Sequence, residues 1–247
     1  MKNPFLSVIV PAYNEAGHLA PTLRDIQSYL KRKPWSAEII IVDDGSTDTT
    51  LYVAEAMMRE FDNVRVLGHQ RNRGKGAAVR LGMMKALGEI RMFTDADNST
   101  SMDQFDKFLP YLQDDCDIVI GSRALRGSEF SPPAPFPRRL MGRLGNIVIQ
   151  AVLLPGVWDT QCGFKVFRKA AAEKIFRCAR IDGWGFDVEI LSIGREFGFA
   201  VKEVPVRWSN SNFSHLRPGA YLQTLLEMFR IRWWLWKKIY HCEHNIS

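Results

Sequence analysis

The sequence lacks long hydrophobic runs, paired cysteines and segments of simple composition. No stretch approaches the roughly 18 uninterrupted apolar residues of a membrane span. Only a short apolar stretch precedes Pro11, without a small-residue cleavage site, so we expect no secretory signal. The four cysteines have no Cys-x-x-Cys spacing, which argues against a disulfide framework or a zinc site. These absences predict a cytoplasmic protein that is soluble or peripheral at the cytoplasmic face of a membrane.

The composition is that of an ordinary globular chain. Of the 247 residues, 46% are hydrophobic and 24% are charged, which suits one large α/β domain with an appendage. The net charge of +6 favours anionic partners: nucleotides, phosphates, nucleic acid or acidic lipid headgroups.

Short β-rich runs alternate with longer amphipathic stretches over residues 5–120. The runs are FLSVIV, AEIIIVDD, VRVLG, RMFTDAD and DIVIGS, and the predicted helices lie near residues 16–32, 47–61, 75–87 and 102–113. This alternation predicts βαβ units and a mostly parallel sheet covered on both faces. Substrate should then meet the carboxyl ends of the strands. The segment SPPAPFPRR (131–139) is predicted to be a mobile or semi-extended loop.

Three of these runs stop in polar clusters, which begin at Pro11, Asp43 and Asp95. Helix capping accounts for any one of them, but three on successive strands favour a shared ligand site. If the chain is still extended at Asp95 and Asp97, a period of two crowds both carboxylates on one side. A divalent cation carrying a diphosphate would relieve that crowding. We therefore predict Mg²⁺ or Mn²⁺ here, the alternative being solvated or helix-capping carboxylates.

The segment RNRGKGAA (71–78) places cations and glycines just before a predicted helix. Backbone amides, the helix dipole and Lys75 could all face an anion there. A basic solvated loop, with Gly74 and Gly76 serving turns, is the other interpretation. Neither a Walker loop nor a dinucleotide-binding fingerprint is present.

These clusters and the segments that follow resemble glycosyltransferases of family 2 with the GT-A fold. The segments are VIVPAYNE, VDDGSTD, RNRGKGAAV, TDAD, IGSR (120–123), DTQCGFKVF (159–167), GWGFDVEIL (183–191) and EVPVRWS (203–209). DTQCGFK followed by GFDVEIL is most similar to the dolichyl-phosphate glucosyltransferases, with dolichyl-phosphate mannose synthases as close relatives. The resemblance covers nearly the whole chain and implies a Rossmann-like GT-A domain over residues 1–212.

The resemblance also implies a nucleotide-sugar donor and a divalent metal, Mg²⁺ or Mn²⁺, as cofactor. Asp95 would contact ribose or metal, whereas Asp97 would bind the metal and act in catalysis. The residues expected against the nucleotide sugar are Pro11, Tyr13, Glu15, Asp43, Asp44, Lys75, Asp95 and Ala96.

The implied acceptor is a polyprenyl phosphate. A phosphate monoester is already anionic near neutrality, with a second pKa of about 6, so it needs cations, whereas a sugar hydroxyl needs a general base. Arginine grips phosphate through two parallel hydrogen bonds, and positions 123, 126, 138, 139 and 143 are all arginine. The family pattern assigns Arg123 and Arg139 to catalysis, and surface charge accounts for Arg126 and Arg143.

The segment GWGFDVEIL carries acidic and aromatic residues whose roles stay open. Asp187, counted among the catalytic residues, and Glu189 would orient Arg139 or the sugar, or act as base for a hydroxyl acceptor. A buried ion pair with a structural arginine is the alternative. Trp184 and Phe186 would be core aromatics or a platform for the sugar ring.

The carboxyl-terminal segment 213–247 is predicted to form an amphipathic helix. Its apolar stripe comprises Leu222, Leu225, Leu226, Phe229, Trp233, Trp236 and Tyr240, widened by Met228, Ile231, Leu235 and Ile239. Polar and mostly basic residues fill the opposite sector. A tryptophan-rich face edged with basic residues predicts a helix lying at a membrane surface. Packing on the catalytic domain, or on another subunit of a homo-oligomer, is the alternative.

One departure from the family pattern lies just before this helix. Relatives have a Gly-Ser-Lys sequence where this chain has Phe213, Ser214 and His215. Histidine is only partly charged at neutral pH, so Arg217 is the residue that would compensate for the missing lysine.

The leading prediction is transfer of glucose from UDP-glucose to a polyprenyl phosphate, metal-assisted and with inversion. A GDP-mannose-dependent polyprenyl-phosphate mannosyltransferase and a family 2 enzyme with a sugar or protein hydroxyl acceptor are the enzymatic alternatives. A nucleotide-sugar-binding or nucleic-acid-binding module is the non-enzymatic one. We expect no nucleic-acid partner, because the basic residues do not form a face interleaved with aromatics.

Overall fold

A seven-stranded sheet lies at the centre of the computed structural model, which describes residues 3–131, 136–209 and 218–241. Its strands are β1 (Leu6–Ala12), β2 (Ala37–Asp43), β3 (Val64–Gly68), β4 (Ile90–Phe93), β5 (Ile118–Ser122), β7 (Lys165–Arg168) and β8 (Val201–Pro205). The order is β3-β2-β1-β4-β7-β5-β8, and only β7 runs antiparallel to its neighbours. Two short strands, β6 (Glu129–Ser131) and β9 (Arg207–Ser209), pair separately.

The helices match the predicted alternation closely. They are α1 (Ala16–Leu30), α2 (Thr50–Glu60), α3 (Lys75–Lys85), α4 (Leu109–Gln113), α5 (Phe136–Val152), α6 (Lys169–Cys178), α7 (Phe186–Glu196) and α8 (Pro218–Trp236). The helix predicted near residues 102–113 is divided, because a 3₁₀ helix (Met102–Lys107) precedes α4.

Two hydrophobic cores cover the two faces of the sheet. Val8 and Ile39 lie in the core with α1, α2 and the 3₁₀ helix, whereas Ile9 and Ile40 lie in the core with α3, α6 and α7. Successive strand residues therefore point into opposite cores, which explains why these strands are continuous apolar runs. The mostly parallel sheet covered on both faces is confirmed.

The predicted proline-rich loop is wrong for residues 136–139. Helix α5 begins at Phe136, so Pro137 lies in its first turn, where a missing N–H has no intrahelical partner to lose. The rest of SPPAPFPRR comprises Ser131, the last residue of β6, and positions 132–135, which lie outside the described residues.

The predicted carboxyl-terminal stripe is divided between the protein core and its surface. Met228 and Ile231 are buried, and Tyr240 is fully buried beyond the end of α8, where its hydroxyl donates to Glu189 Oε1 at 2.9 Å. Placing Tyr240 on the exposed stripe was wrong, because the helix ends at Trp236. The exposed members are Leu226, Phe229, Trp233 and Trp236.

No helix in the described part of the chain is both long and apolar enough to cross a bilayer. The residues where the two predicted domains meet, and the departure at 213–215 with Arg217, lie outside the described ranges.

Candidate active site

Asp95 and Asp97 lie just beyond the carboxyl end of β4, beside the ends of β1 and β2. Strand β4 ends at Phe93 and the chain turns at residues 96 and 97, so Asp95 and Asp97 do not lie on one side of an extended strand. Asp97 Oδ1 accepts a hydrogen bond from the Ser99 amide at 2.9 Å. Ala96 is buried, and its carbonyl accepts a hydrogen bond from Thr22 Oγ1 at 2.7 Å. The turn that carries both carboxylates is therefore held from two sides.

The positive charge beside these carboxylates is the ammonium of Lys75. Its Nζ lies 2.5 Å from Asp95 Oδ1, because Lys75 stands in the first turn of α3 next to β4. Burial alone would lower the pKa of Lys75, but the carboxylates of Asp95, Asp187 and Asp97 outweigh burial and raise it. Burial alone would likewise raise the pKa of Asp95, which Lys75 holds below its usual value. Both groups are charged at neutral pH.

Gly163 provides the space that the Asp95 carboxylate occupies. A Cβ at position 163 would lie 1.9 Å from Asp95 Oδ2 and 2.4 Å from its Cγ. No side chain fits there without displacing the carboxylate. Gly163 lies in the family motif QCGFK, but its sequence position gives no sign that it borders Asp95.

The acidic pair fits a divalent cation that brings most of its ligands with it. The described residues contain no group of three or more His, Cys, Asp or Glu side chains placed to hold a metal. Mg²⁺ is commonly bound through one or two carboxylates together with water and substrate phosphates. The Asp95 side chain is 30% exposed and its pKa is low, so it offers an ionised oxygen ligand.

The cluster at the end of β1 combines buried backbone with an exposed ring. Pro11 is a buried strand residue, whereas the Tyr13 side chain is 42% exposed. Glu15 Oε2 lies 2.9 Å from His18 Nδ1 one helical turn away.

Asp43 and Asp44, at the end of β2, are both buried but differ in their partners. Asp43 Oδ1 has no hydrogen-bond partner in the described part of the chain, so it is an acceptor available to a ligand. Asp44 accepts hydrogen bonds from the amides of Arg73 at 3.1 Å and Gly74 at 2.7 Å, and lies 2.7 Å from His69 Nδ1. The geometry gives Asp44 the task of holding the loop before α3.

The first amides of α3 also bond within the protein. The amides of Gly76 and Ala77 donate to the Asp182 carbonyl at 2.8 and 3.3 Å. Of the groups in RNRGKGAA that could face an anion, Lys75 is thus better placed than these amides. The solvated-loop interpretation fits residues 71–73, which are exposed, and Gly74, whose φ is +110°. It does not account for the amides of Gly76 and Ala77, which join α3 to the segment before α7.

Arg123 forms a bidentate ion pair with Asp159. Its Nε and Nη2 lie 2.7 and 2.9 Å from the two carboxylate oxygens, and its amide donates to Oδ2 at 2.8 Å. Burial alone would lower the pKa of Arg123, but Asp159 outweighs burial and raises it. The Arg123 side chain remains 27% exposed.

Less is described for the other arginines. Arg126 is exposed, whereas Arg138, Arg139 and Arg143 lie in α5 with side chains outside the described part.

Asp187 forms a buried ion pair with Lys165, a residue that was not among the predicted site residues. Lys165 is fully buried, and its ammonium contacts Asp187 Oδ1 and the Cys162 carbonyl. Burial raises the pKa of Asp187 even though Lys165 opposes the shift. The alternative of a buried ion pair was therefore correct in kind, but the partner is a lysine and not an arginine.

Glu189 joins Tyr240, beyond the end of α8, to the segment before α7. Its carboxylate accepts hydrogen bonds from the amides of Arg180 at 2.9 Å and Ile181 at 2.8 Å, and from Tyr240. Burial raises the pKa of Glu189 in spite of these donors.

The two aromatic residues of GWGFDVEIL have different environments. Phe186 is a core residue, 1% exposed and 5.7 Å from the Phe93 ring centroid. Trp184 is 38% exposed, and its ring centroid lies 5.7 Å from Lys75 Nζ. Only Trp184 is exposed enough to serve as a platform for a ligand.

Comparison with known proteins identifies the family. The family model described as glycosyl transferase family 2 matches residues 7–176. The chain belongs to this family. The chain is 36% identical over 248 residues to a dolichyl-phosphate beta-glucosyltransferase of Dictyostelium discoideum, covering 94% of this chain and 76% of that protein. The corresponding Homo sapiens protein is 35% identical, covering 92% and 74%. The family predicted from the motifs is confirmed, so the chain is a glycosyltransferase.

Solved structures show the same fold at low sequence identity. Mannosyl-3-phosphoglycerate synthase from Rubrobacter xylanophilus aligns with a TM-score of 0.70 at 16% identity, covering 99% of this chain and 78% of that one. Glucosyl-3-phosphoglycerate synthase from Mycobacterium tuberculosis, in complex with Mn²⁺, UDP-glucose and phosphoglyceric acid, aligns with a TM-score of 0.68 at 18% identity, covering 93% and 80%. The predicted GT-A arrangement is confirmed.

Proposed function

We propose that this family 2 glycosyltransferase moves glucose from UDP-glucose to a polyprenyl phosphate of the dolichyl type, with inversion at the anomeric carbon. The observation that carries the proposal is the 36% identity, over 94% of the chain, to a protein named as a dolichyl-phosphate beta-glucosyltransferase. The environments of the donor and acceptor residues add chemical support.

The donor would lie along the carboxyl ends of β1, β2 and β4. Asp43 Oδ1, a buried acceptor without a partner in the described residues, suits an N–H of the nucleotide base. Pro11, Tyr13 and Glu15 would line the same side. A divalent cation held by Asp95 and Asp97 would supply positive charge to the departing diphosphate. Lys75, whose ammonium is charged beside Asp95, would also stabilise the negative charge of the departing diphosphate.

Three carboxylates of the site are already engaged by other groups, which favours a phosphate acceptor over a hydroxyl. A hydroxyl acceptor needs a positioned general base. Asp187 is bound to Lys165, Glu189 accepts three hydrogen bonds, and Asp159 is paired with Arg123. A phosphate monoester needs none of them, because it is already anionic.

In the transfer, a phosphate oxygen of the acceptor forms a bond to C1 of glucose. The bond from C1 to the donor's diphosphate oxygen breaks, and UDP leaves with the electron pair. Arg123, with Arg139, would hold the acceptor phosphate in line with C1, where orientation alone removes much of the barrier. Asp159 fixes the plane of the Arg123 guanidinium for that task.

The exposed stripe of α8 would bring the enzyme to the lipid that carries this acceptor. Leu226, Phe229, Trp233 and Trp236 are between 52% and 73% exposed. Arg230, Arg232, Lys237 and Lys238 are exposed on the same segment. An apolar, tryptophan-rich face flanked by cations suits the headgroup region of an anionic membrane. We place residues 213–247 as this surface element, at the cytoplasmic face, with residues 1–212 as the catalytic domain.

A comparison of donors, read out by lipid extraction, tests the proposal. Purified protein is incubated with Mg²⁺ or Mn²⁺, a polyprenyl phosphate and one radiolabelled donor at a time: UDP-glucose, GDP-mannose or a UDP-N-acetylhexosamine. We expect lipid-soluble label from UDP-glucose, lost in Asp97→Ala. Label from GDP-mannose alone would show a mannosyltransferase, and label only in water-soluble sugar products would show a hydroxyl acceptor.

A further inference from the structure

A polar cleft of about 500 Å³ lies between α8 and the segments that precede α3 and α7. The loop before α3 contributes Arg73, and the segment before α7 contributes Arg180 and Trp184. Helix α8 contributes Arg230 and Trp234. Three arginines from three separate parts of the chain therefore line one cavity.

Two of these arginines have few partners inside the protein. Within the described ranges, the Arg180 side chain forms no hydrogen bond or ion pair, and the Arg230 guanidinium only faces the Trp234 ring at 5.7 Å. Arg73 lies 3.3 Å from Asp182, a carboxylate that Arg80 also contacts. The cleft thus holds guanidinium groups with capacity to bind an anion.

The acidic residues of the cleft offset only part of this charge, because four arginines, counting Arg80, stand beside Asp182 and Glu227. Asp182 is engaged by Arg80 and Arg73, and Glu227 Oε2 accepts a hydrogen bond from the Gly185 amide at 2.8 Å. Arginines that line one cavity favour an oxyanion such as phosphate, which planar guanidinium groups bind through paired hydrogen bonds.

The surface beside the cleft indicates which phosphate it takes. Arg230 and Trp234 line the cleft, whereas their neighbours Phe229 and Trp233 are 58% and 52% exposed on the same helix. A ligand that satisfies both features carries a phosphate and a hydrocarbon chain. A soluble phosphate would use only the cleft.

We propose that this cleft binds the phosphate headgroup of an anionic phospholipid and so orients the enzyme on the membrane. This site is distinct from the acceptor site at Arg123, and it rests on the membrane docking of α8 in the proposed function. Arg73, Arg180 and Arg230 would surround the headgroup phosphate while Phe229 and Trp233 enter the adjoining lipid.

Vesicle sedimentation with the full chain tests the proposal. The vesicles are phosphatidylcholine with or without phosphatidic acid, and the test variant is Arg180→Gln with Arg230→Gln. Each arginine at an anionic surface contributes about 1 kcal/mol, so losing both should weaken binding to the anionic vesicles about 30-fold. The matched control is Arg32→Gln with Arg59→Gln, which removes the same charge from two exposed arginines on the α1 and α2 side of the sheet. The control should bind within about threefold of wild type. Equal weakening in both variants would reduce the effect to net charge and overturn the proposal.

Two further measurements test whether the bound phosphate belongs to a lipid and whether the cleft takes part in catalysis. In the first, the melting temperature is measured with inorganic phosphate. If phosphate raises the melting temperature of wild type but not of the test variant, and both bind vesicles equally, the cleft is a soluble-phosphate site and the lipid assignment is overturned. Turnover with a water-soluble short-chain prenyl phosphate, without vesicles, should be the same in the test variant and wild type. A loss there would place the cleft in the acceptor site and contradict us. If no donor is turned over by wild type, the proposed reaction fails, yet the vesicle comparison still decides the cleft.

Discussion

Replacing Gly163 with alanine should damage catalysis by moving one carboxylate. The added Cβ would lie 1.9 Å from Asp95 Oδ2, whereas an ordinary contact begins at 3.4 Å, so the two groups must separate by about 1.5 Å. A displacement of about 1 Å in a reacting group costs on the order of 100-fold in rate. We expect kcat to fall about 100-fold, with about 1–3 kcal/mol lost from the free energy of unfolding because of overpacking.

The assay is the initial rate of lipid-linked product at saturating donor, with urea unfolding in parallel. Gly17→Ala is the matched control, since nothing lies within 4 Å of a Cβ there and the residue is in the first turn of α1. That variant should keep the wild-type rate and gain up to about 1 kcal/mol from helix propensity. Wild-type kcat in Gly163→Ala would show that the position of Asp95 does not matter for transfer, which would refute the reasoning.

Three other predictions concern buried groups near the site. Asp187→Asn leaves the buried Lys165 charge uncompensated, so urea unfolding should show a loss of about 3–5 kcal/mol; a stable variant without turnover would instead make Asp187 a catalytic base. Burial alone would raise the pKa of Asp159, but Arg123 holds it below its usual value. The ion pair therefore stabilises the folded state above about pH 4, and this contribution is lost as the pH falls through the folded-state pKa of Asp159. Asp159→Asn should therefore cost about 2 kcal/mol at pH 7, and the difference from wild type should shrink as the pH is lowered below about 4. A pH-independent difference would argue against the ion pair. Burial raises the pKa of the Cys162 thiol to about 11, so iodoacetamide at pH 8 should modify it only after unfolding, as followed by mass spectrometry; rapid modification of the native protein would show that the loop opens.

The alternation of apolar runs and amphipathic stretches predicted the fold because each buried strand carries its own signal. Every residue of β1 is apolar or small, and such a run is typical of a strand in a sheet covered on both faces. Where local signals conflicted, the prediction failed. The prolines before α5 indicated a loop, although Pro137 is compatible with a helical first turn.

The sequence predicts that the candidate site lies at the ends of several strands. It does not predict which side chains form ion pairs there, because those pairs depend on tertiary contacts. Nothing in the spacing of RNRGKGAA and TDAD shows that Lys75 meets Asp95, 20 residues away. Lys165 in a strand has the pattern of a surface cation, and only the fold buries it against Asp187. The stripe on α8 was misassigned at Tyr240 because helical periodicity does not show where a helix ends.

Binding of Mn²⁺ in the presence of UDP tests most directly whether Asp95 and Asp97 form the metal and donor site. Titration followed by electron paramagnetic resonance counts the bound ions, and the account predicts one Mn²⁺ for each wild-type chain. Asp97→Asn should weaken that binding by at least about tenfold, while the far-face variant Arg59→Gln should leave it unchanged. Equal affinity in wild type and Asp97→Asn would contradict the account.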